Sequence, residues 1–232
     1  MKIAGLHDWN LTPKEAVALQ RELAGRIETR TPLTHCELIA GADVSYNRFS
    51  PIVYAAVVVL RTADWSIVEV RTTIAETRFP YVPGLLSFRE TPILLEAFAK
   101  LQSRPDAIMC DGHGYAHPRR FGYAAHVGLW LELPTLGCAK SVLVGKFREP
   151  GKKRGSVAPL RDRDEVIGMA VRTRDAVQPV YASVGHRIDL ASAVRLILES
   201  ARGYRIPEPT RQAHLHVNEL RRRGGETAVS GA

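Results

Sequence analysis

The amino-acid sequence predicts one α/β domain built on a mixed β-sheet that is flanked by helices. Two observations carry this prediction. Three apolar runs between residues 38 and 74 are separated by short connections, as in an antiparallel meander. A fourth run, at 107–110, is apolar at every position and is followed by alternating helix-like and strand-like segments, which is typical of a sheet covered on both faces.

The first half of the chain begins with a helix and continues with the meander. Thr12, Pro13 and Glu15 form a helix-start pattern, because threonine caps well, proline fits the first turn and the glutamate can bond back to the cap. Apolar residues at helical spacing extend this helix to about residue 28. Strands are predicted at 38–46, 53–60 and 67–74, and a second helix is predicted at 91–101.

The second half of the chain alternates between strands and helices. The predicted elements are a strand at 107–110, a helix at 124–131, an apolar segment at 135–139, short strands at 157–160, 166–171 and 177–184, a helix capped by Asp189, and a last helix after Pro207. We expect a single domain over residues 1–223. Residues 224–232 are rich in glycine and small polar residues, which predicts a disordered tail.

Composition and charge restrict the class of protein. The chain has 232 residues with 32 Lys and Arg against 24 Asp and Glu, and this net charge of +8 favours a polyanionic partner such as nucleic acid. No apolar run approaches the ~20 residues of a membrane span, and the first residues lack the apolar core of a signal peptide. Three cysteines without CxxC spacing indicate a reduced setting. We therefore expect a soluble, cytoplasmic protein that does not bind membranes.

Three acidic residues stand out because of their positions. Asp43 lies within one apolar strand, Asp111 ends another, and Glu90 lies just before the predicted second helix. A buried carboxylate is costly unless it is paired or bound to a metal, so carboxylates that converge on adjacent strands indicate divalent cations. Carboxylates at strand ends also form purely local hydrogen bonds. The sequence leaves both interpretations open.

Glu90 has a second interpretation of its own. Ser87 and Glu90 have the spacing of a capping box, in which the glutamate would only cap the helix. Pro92 argues against this, since it would then lie inside the helix and remove a backbone donor.

The loop after Asp111 contributes two histidines. Ligands of open α/β sheets bind beyond the carboxyl ends of parallel strands, so Asp111, His113 and His117 are candidates for a polar site. The histidines have the four-residue spacing of zinc helices. The glycines and proline of this loop argue against a helix, and no cysteine stands nearby, which makes zinc a poor match.

Five motifs together resemble the endonuclease V family of repair nucleases. They are GADVSY at 41–46, PYVPGLLSFRE at 80–90, DGHGYAHPRRFG at 111–122, GCAKS at 137–141 and PEPTRQAH at 207–214. They occur in family order and span most of the chain. The resemblance implies a ribonuclease H-like fold with a mixed five-strand central sheet flanked by helices. It also implies Mg²⁺-dependent cleavage, with Mn²⁺ as a substitute, of DNA that contains deaminated bases, chiefly deoxyinosine. The cut would fall at the second phosphodiester 3′ to the lesion and leave 3′-hydroxyl and 5′-phosphate ends.

The resemblance also implies roles for individual residues. Asp43 and Asp111 match the metal ligands of the family, and Glu90 matches the third acid. Lys140 matches a residue that neutralises phosphate, while His117 and His214 lie near the catalytic centre of the family. The segment 80–83 matches the family's wedge, which fills the gap left by the rotated base. The residues implied to bind nucleic acid are Pro80, Tyr81, Val82, Pro83, Gly84, Gly112, His117, Gly122 and Lys140.

Two other functions remain open from the sequence. The fold of the family is also used on RNA, so a ribonuclease that prefers inosine is one alternative. A non-catalytic nucleic-acid-binding protein is the other, although the presence of all three acids argues against it. We expect the protein to act as a monomer.

Overall fold

The computed structural model of the chain describes residues 1, 3–47 and 50–229. Within this part of the chain, eight strands and five α-helices are present. They are α1 (Pro13–Leu23), β1 (Leu38–Tyr46), β2 (Ile52–Arg61), β3 (Ile67–Glu76), α2 (Leu86–Ala99), β4 (Ala107–Cys110), α3 (Tyr123–Leu131), β5 (Thr135–Ala139), β6 (Val157–Asp162), β7 (Glu165–Val171), β8 (Val180–His186), α4 (Leu190–Ser200) and α5 (Glu208–Val229).

All of these strands join one mixed sheet in the order β3-β2-β1-β4-β5-β8-β7-β6. The β1–β4 and β4–β5 pairs are parallel, and β2 and β3 form the predicted antiparallel meander. The predicted mixed sheet with flanking helices is therefore confirmed. The expected number of five strands is too small for the described residues, because β8 pairs antiparallel with β5 and continues the sheet into β7 and β6. A buried strand edge such as that of β5 needs a partner for its backbone groups.

Helices cover both faces of the sheet. Alternate residues of β1 show this, because Ala40 and Ala42 belong to a core cluster with α2 and α3, whereas Ile39 belongs to a cluster with α4 and α5. Side chains alternate between faces along a strand, so the two clusters lie on opposite sides of the sheet. Val53–Leu60 of β2 are all buried, as expected for a strand covered on both faces.

Two helix boundaries differ from the prediction. Helix α1 ends at Leu23 and gives way to a short 3₁₀ turn at 24–26, so it is shorter than expected. Helix α2 begins at Leu86 rather than 91 and contains Pro92. Phe88 in its first turn is buried against Ala16 and Phe79, and this tertiary packing outweighs the local penalty of the proline.

The last helix is also longer than expected. Helix α5 continues to Val229, beyond residue 223 where the sequence predicted the domain to end. Extending an existing helix costs no new nucleation, which accounts for its continuation through a glycine-containing segment. Residues 230–232 of the predicted disordered tail lie outside the described residues. Among the described helices, none is both long and apolar enough to cross a bilayer.

Candidate active site

Two neighbouring parallel strands bring Asp43 and Asp111 together. Ala42 of β1 stands opposite Cys110 of β4, and the Asp111 amide donates to the Ala42 carbonyl at 3.1 Å. The residue that follows in each strand is an aspartate, so both carboxylates lie at the carboxyl edge of the sheet. Ligand sites of open α/β sheets lie at this edge.

Helix α5 adds His214 to the pair. A Cβ atom at Gly41 would lie 1.8 Å from the Pro209 carbonyl oxygen, so only glycine allows the helix to approach β1 this closely. One helical turn later, His214 Nδ1 lies 2.8 Å from Asp43 Oδ2. The hydrogen bond to Asp43 raises the pKa of His214.

Asn218 holds the other side of the His214 ring. Its Nδ2 lies 3.1 Å from His214 Nε2, and its Oδ1 accepts a hydrogen bond from Ser45 at 3.2 Å. If Nδ2 donates to Nε2, the ring proton of neutral His214 lies on Nδ1 and faces Asp43. In that arrangement Asn218 fixes both the orientation and the tautomer of the histidine.

Lys140 lies at the other side of the cluster. It follows β5 directly, and its Nζ forms an ion pair with Asp111 Oδ2. Burial and the charge of Asp43 raise the pKa of Asp111, while Lys140 acts in the opposite direction. In this structure the ammonium group neutralises a carboxylate of the site.

Glu90 approaches the cluster from α2. Its side chain is buried, and burial together with the charges of Asp43 and Asp111 raises its pKa well above the usual value. The capping-box interpretation does not hold, because Ser87 lies inside the helix and its Oγ lies 3.0 Å from His126 Nδ1. Glu90 is therefore not a helix cap, and its charge interacts with those of Asp43 and Asp111.

This group of side chains fits a divalent cation. One donor atom each from Asp43, Asp111 and His214 lie within 4.8 Å of one another. Carboxylate oxygens are the ligands that Mg²⁺ prefers, and the charges of Asp43, Asp111 and Glu90 repel one another, which a cation would offset. Among the described residues, His214 rather than Glu90 completes this trio.

A cavity of about 210 Å³ opens next to Asp111. Seven of the residues implied to bind nucleic acid line it, namely Tyr81, Val82, Pro83, Gly84, Gly112, His117 and Gly122. The other lining residues are Gln20, Leu86, Ser87, Asp111, His113, Tyr123 and Leu143. Tyr81 is 63% exposed at this position. Pro80 instead lines a neighbouring groove with Tyr46 and Arg89. The cavity is smaller than the roughly 300–1,000 Å³ of drug-sized pockets, and its size suits a single base.

The Gly84 carbonyl anchors the loop that carries Tyr81. It accepts hydrogen bonds from Gln20 Nε2 at 3.0 Å, Arg119 at 2.8 Å and His117 Nε2 at 3.1 Å. Burial lowers the pKa of His117 to about 4, so the ring is neutral at physiological pH and donates through Nε2. His117 thus holds the cavity wall and is not a member of the carboxylate cluster. His113 contacts the Ser141 carbonyl at 2.9 Å and is likewise outside the cluster.

Sequence reasoning missed Gln20 and Asn218. A signal existed for Gln20, because it follows Ala16 at helical spacing on the apolar face of α1, where a polar residue needs a buried partner. Its amide indeed donates to Gly84 and to the Phe121 carbonyl. Asn218 has no comparable signal, since it lies on the polar side of α5 and gains its importance only from His214.

Comparisons with known proteins show similarity to endonuclease V over most of the chain. The family model described as Endonuclease V matches residues 21–215. The Endonuclease V of Gloeobacter violaceus is 49% identical over 230 residues, which cover 97% of this chain and 93% of that protein.

Solved structures give the same result. The Endonuclease V of Streptomyces avermitilis is 44% identical, with a TM-score of 0.88 and coverage of 95% of this chain and 96% of the other. The Endonuclease V of Ciona intestinalis, solved with a 24mer DNA containing an inosine followed by a ribo-adenosine, is 25% identical, with a TM-score of 0.76 and coverage of 90% and 98%.

Proposed function

The chain belongs to the endonuclease V family and is a DNA repair endonuclease for deaminated bases, and we propose that Asp43, Asp111 and Glu90 hold the divalent cation with which it cleaves. The observation that carries this proposal is the convergence of Asp43 and Asp111 at one edge of the sheet. Fold alone does not determine chemistry, but this carboxylate cluster lies beside a cavity of the size of a base.

The reaction is hydrolysis of the second phosphodiester 3′ to the lesion, which leaves 3′-hydroxyl and 5′-phosphate ends. Mg²⁺ is the cation that the oxygen ligands favour, with Mn²⁺ as a substitute. When bound, such a cation lowers the pKa of a water nucleophile and neutralises the leaving oxygen. The protein's part is to fix the carboxylates that receive it.

His214 and Lys140 have supporting roles at the same centre. His214 holds the Asp43 carboxylate in one orientation, because its Nδ1 bonds to Oδ2 while the Val44 amide donates to Oδ1 at 2.8 Å. A carboxylate oxygen that accepts one hydrogen bond keeps a lone pair with which it could bind the cation. Lys140 pairs with Asp111 and lies at the position where a phosphate group would come close to the cluster. A cation in that position offsets the repulsion between the acids and the scissile phosphate.

Damage recognition uses the cavity and Tyr81. A deaminated base pairs weakly, so rotating it out of the duplex costs less than rotating a normal base. The rotated base enters the cavity, while the exposed Tyr81 ring fills the gap in the stack. The three hydrogen bonds to Gly84 keep the loop of Tyr81 in place before the substrate arrives, which reduces the entropy lost on binding.

The direct test is incubation of a labelled duplex with one deoxyinosine, with and without Mg²⁺, followed by mapping of the cut. We expect a single product that ends at the second phosphodiester 3′ to deoxyinosine, and none in EDTA. A matched inosine-containing RNA in the same assay separates the ribonuclease alternative. Binding that persists in EDTA without any Mg²⁺-dependent product would instead indicate a non-catalytic binding protein.

We propose that the protein works as a monomer in the cytoplasm, where it acts on deaminated DNA. The three cysteines are free thiols, and free cysteines are usual in proteins of a reducing compartment.

A further inference from the structure

A groove of about 770 Å³ lies on the surface beyond the base-sized cavity, and its walls are basic. We propose that this groove binds the phosphate backbone of the substrate strand next to the lesion; this inference rests on the proposed function. Four basic residues line it, namely Lys146, Arg148, Arg161 and Arg163. All four are exposed.

Two acids at the groove are held in ion pairs by a basic residue that does not line it. Asp162 and Glu165 each form an ion pair with Arg120 at 2.8 Å. In the part of the chain that the structure describes, the four basic residues form no ion pair with a carboxylate. Their charges are therefore available to a polyanion, and exposed charges of one sign attract nucleic acid.

The chain leads directly from the active site to the groove. Lys140 contacts Asp111, Leu143 lines the base-sized cavity, and Lys146 lines the groove. The three residue steps from Leu143 to Lys146 span at most roughly 10 Å, which corresponds to about three nucleotides of a DNA strand. A strand whose lesion occupies the cavity would thus reach the groove a few phosphates away.

The groove is fixed in shape before any partner binds. Lys146 and Arg161 exchange two backbone hydrogen bonds, at 2.7 and 2.8 Å. The half-buried Phe147 packs edge to face on Tyr181, with ring centroids 5.3 Å apart. A preformed basic groove loses little entropy when it binds a phosphate backbone.

The test compares two double variants with the same net charge. K146Q/R148Q removes two charges from the groove. The control, R61Q/R104Q, removes two exposed charges from the opposite end of the sheet. Arg61 pairs with the first residue of β1, and Arg104 precedes β4. Affinity for a deoxyinosine duplex is measured in Ca²⁺ at several salt concentrations. We expect the slope of log K against log salt to fall by about 1.8 in the groove variant, at about 0.9 for each phosphate contact, and to stay unchanged in the control.

Equal slopes in the two double variants would overturn the proposal that this groove binds the phosphate backbone. This outcome differs from a failure of the proposed function, in which wild type would bind deoxyinosine and undamaged duplexes equally or cleave neither. A duplex shortened on the groove side gives a second readout, because the difference between the two variants should disappear when the strand cannot reach Lys146.

A different observation points to Tyr123, the first residue of α3. Its hydroxyl is buried and has no hydrogen-bond partner among the described residues. Its ring lies against Gly112, where an added Cβ would be 3.3 Å from Tyr123 Cδ1, and it lines the base-sized cavity together with Asp111. A buried hydroxyl without a partner costs about 1–3 kcal/mol, so a partner supplied during function would explain it.

The surroundings of the hydroxyl are acidic. The charges of Glu90, Asp43 and Asp111 act on this group. A tyrosine hydroxyl keeps its proton at neutral pH, so it can act as a donor. We infer that Tyr123 is a positioning residue whose hydroxyl donates to a water molecule held at Glu90 and Asp111 during cleavage. This inference also rests on the proposed function.

The test is Tyr123→Phe, with Thr91→Val as the control. Thr91 also carries a buried hydroxyl without a partner in the described structure, but it is not part of the cavity wall. Melting temperature without cation, its rise on adding Ca²⁺, and cleavage in Mg²⁺ are measured for both. Tyr123→Phe should melt at or above the wild-type temperature, show a smaller rise with Ca²⁺, and cleave about tenfold more slowly, the effect of one lost hydrogen bond.

Thr91→Val should match wild type in its response to Ca²⁺ and in cleavage. Unchanged cleavage and Ca²⁺ response in Tyr123→Phe would overturn the inference, and so would a lower melting temperature, which would indicate a structural hydrogen bond. A wild type that is not stabilised by Ca²⁺ and does not cleave would overturn the proposed cation site itself.

Discussion

His214 Nδ1 lies 2.8 Å from Asp43 Oδ2, although 171 residues separate the two in the chain. The contact joins the edge of the sheet to helix α5 and places a histidine between the carboxylate and solvent. It is possible because Gly41 allows Pro209 to lie directly on β1. The geometry of the carboxylate cluster therefore depends on helix packing as well as on the acids themselves.

The first prediction concerns the two aspartates. Asp43→Asn and Asp111→Asn should each reduce cleavage by at least about 10², because a neutral amide binds a divalent cation poorly. Affinity for the deoxyinosine duplex should stay close to wild type, since basic residues supply most phosphate contacts. Single-turnover cleavage and binding in Ca²⁺ check both parts. Cleavage that survives in both variants would refute the assignment of these ligands.

The second prediction concerns the buried Glu90. Glu90→Gln should raise the melting temperature without divalent cation, because it removes a buried acid whose pKa is raised by burial and by its acidic neighbours. A gain of ~1 kcal/mol corresponds to about 2–4 °C in a chain of this size. The same variant should respond less to Mg²⁺ and should not cleave. A melting temperature below that of wild type would show that Glu90 makes structural contacts instead.

The third prediction concerns Tyr81. Stacking of an aromatic ring on a base is worth ~1–3 kcal/mol, so Tyr81→Ala should weaken lesion binding by about tenfold to a hundredfold. Tyr81→Phe should keep most of the affinity, because the ring carries the effect. Lesion and matched-duplex affinities are compared in Ca²⁺. The wedge role is wrong if alanine lowers both affinities equally, or if phenylalanine is as harmful as alanine.

The fourth prediction concerns the contact between β1 and α5. Gly41→Ala would place a Cβ 1.8 Å from the Pro209 carbonyl oxygen, so the helix must move and carry His214 away from Asp43. We expect a loss of about 1–3 kcal/mol in the free energy of unfolding, together with reduced cleavage. Gly25→Ala is the matched control, because no atom lies within 4 Å of its added Cβ. Urea unfolding and cleavage assays should separate the two, and similar behaviour of both variants would contradict the prediction.

The fifth prediction concerns pH and a buried histidine pair. His126 Nε2 lies 2.7 Å from His7 Nε2, and burial lowers the pKa of both rings, most strongly that of His126. The folded state therefore binds protons more weakly than the unfolded chain. The contribution of these two histidines to the free energy of unfolding should be fully present above about pH 6.5. It should decrease as the pH falls below this value, by up to ~1.4 kcal/mol per pH unit for each proton.

Urea unfolding between pH 5 and 8 measures this slope. His126→Leu should reduce the slope below pH 6.5 whatever its effect on absolute stability, whereas the exposed His35→Gln should leave the slope unchanged. Equal slopes in wild type and His126→Leu would assign the acid sensitivity to other groups.

Much of the fold could be predicted because its signals are local. The capping pattern at Thr12, the period of the apolar runs and the fully apolar strand at 107–110 each depend on residues close in sequence. The helix that starts at Leu86 could not be predicted in this way, because the burial of Phe88 against Ala16 and Phe79 outweighs Pro92.

The sequence by itself singled out Asp43 and Asp111 as candidate acids of the site, since Asp43 lies within a buried strand and Asp111 follows one, where a lone carboxylate would be costly. Only the tertiary structure decided their partners. His214 reaches Asp43 through the approach of α5 to Gly41, Lys140 reaches Asp111 across the β4–β5 pair, and Gln20 reaches Gly84 from a separate helix. Spacing along the chain carries no information about such contacts, because they depend on which strands pair and on how closely a helix packs against them.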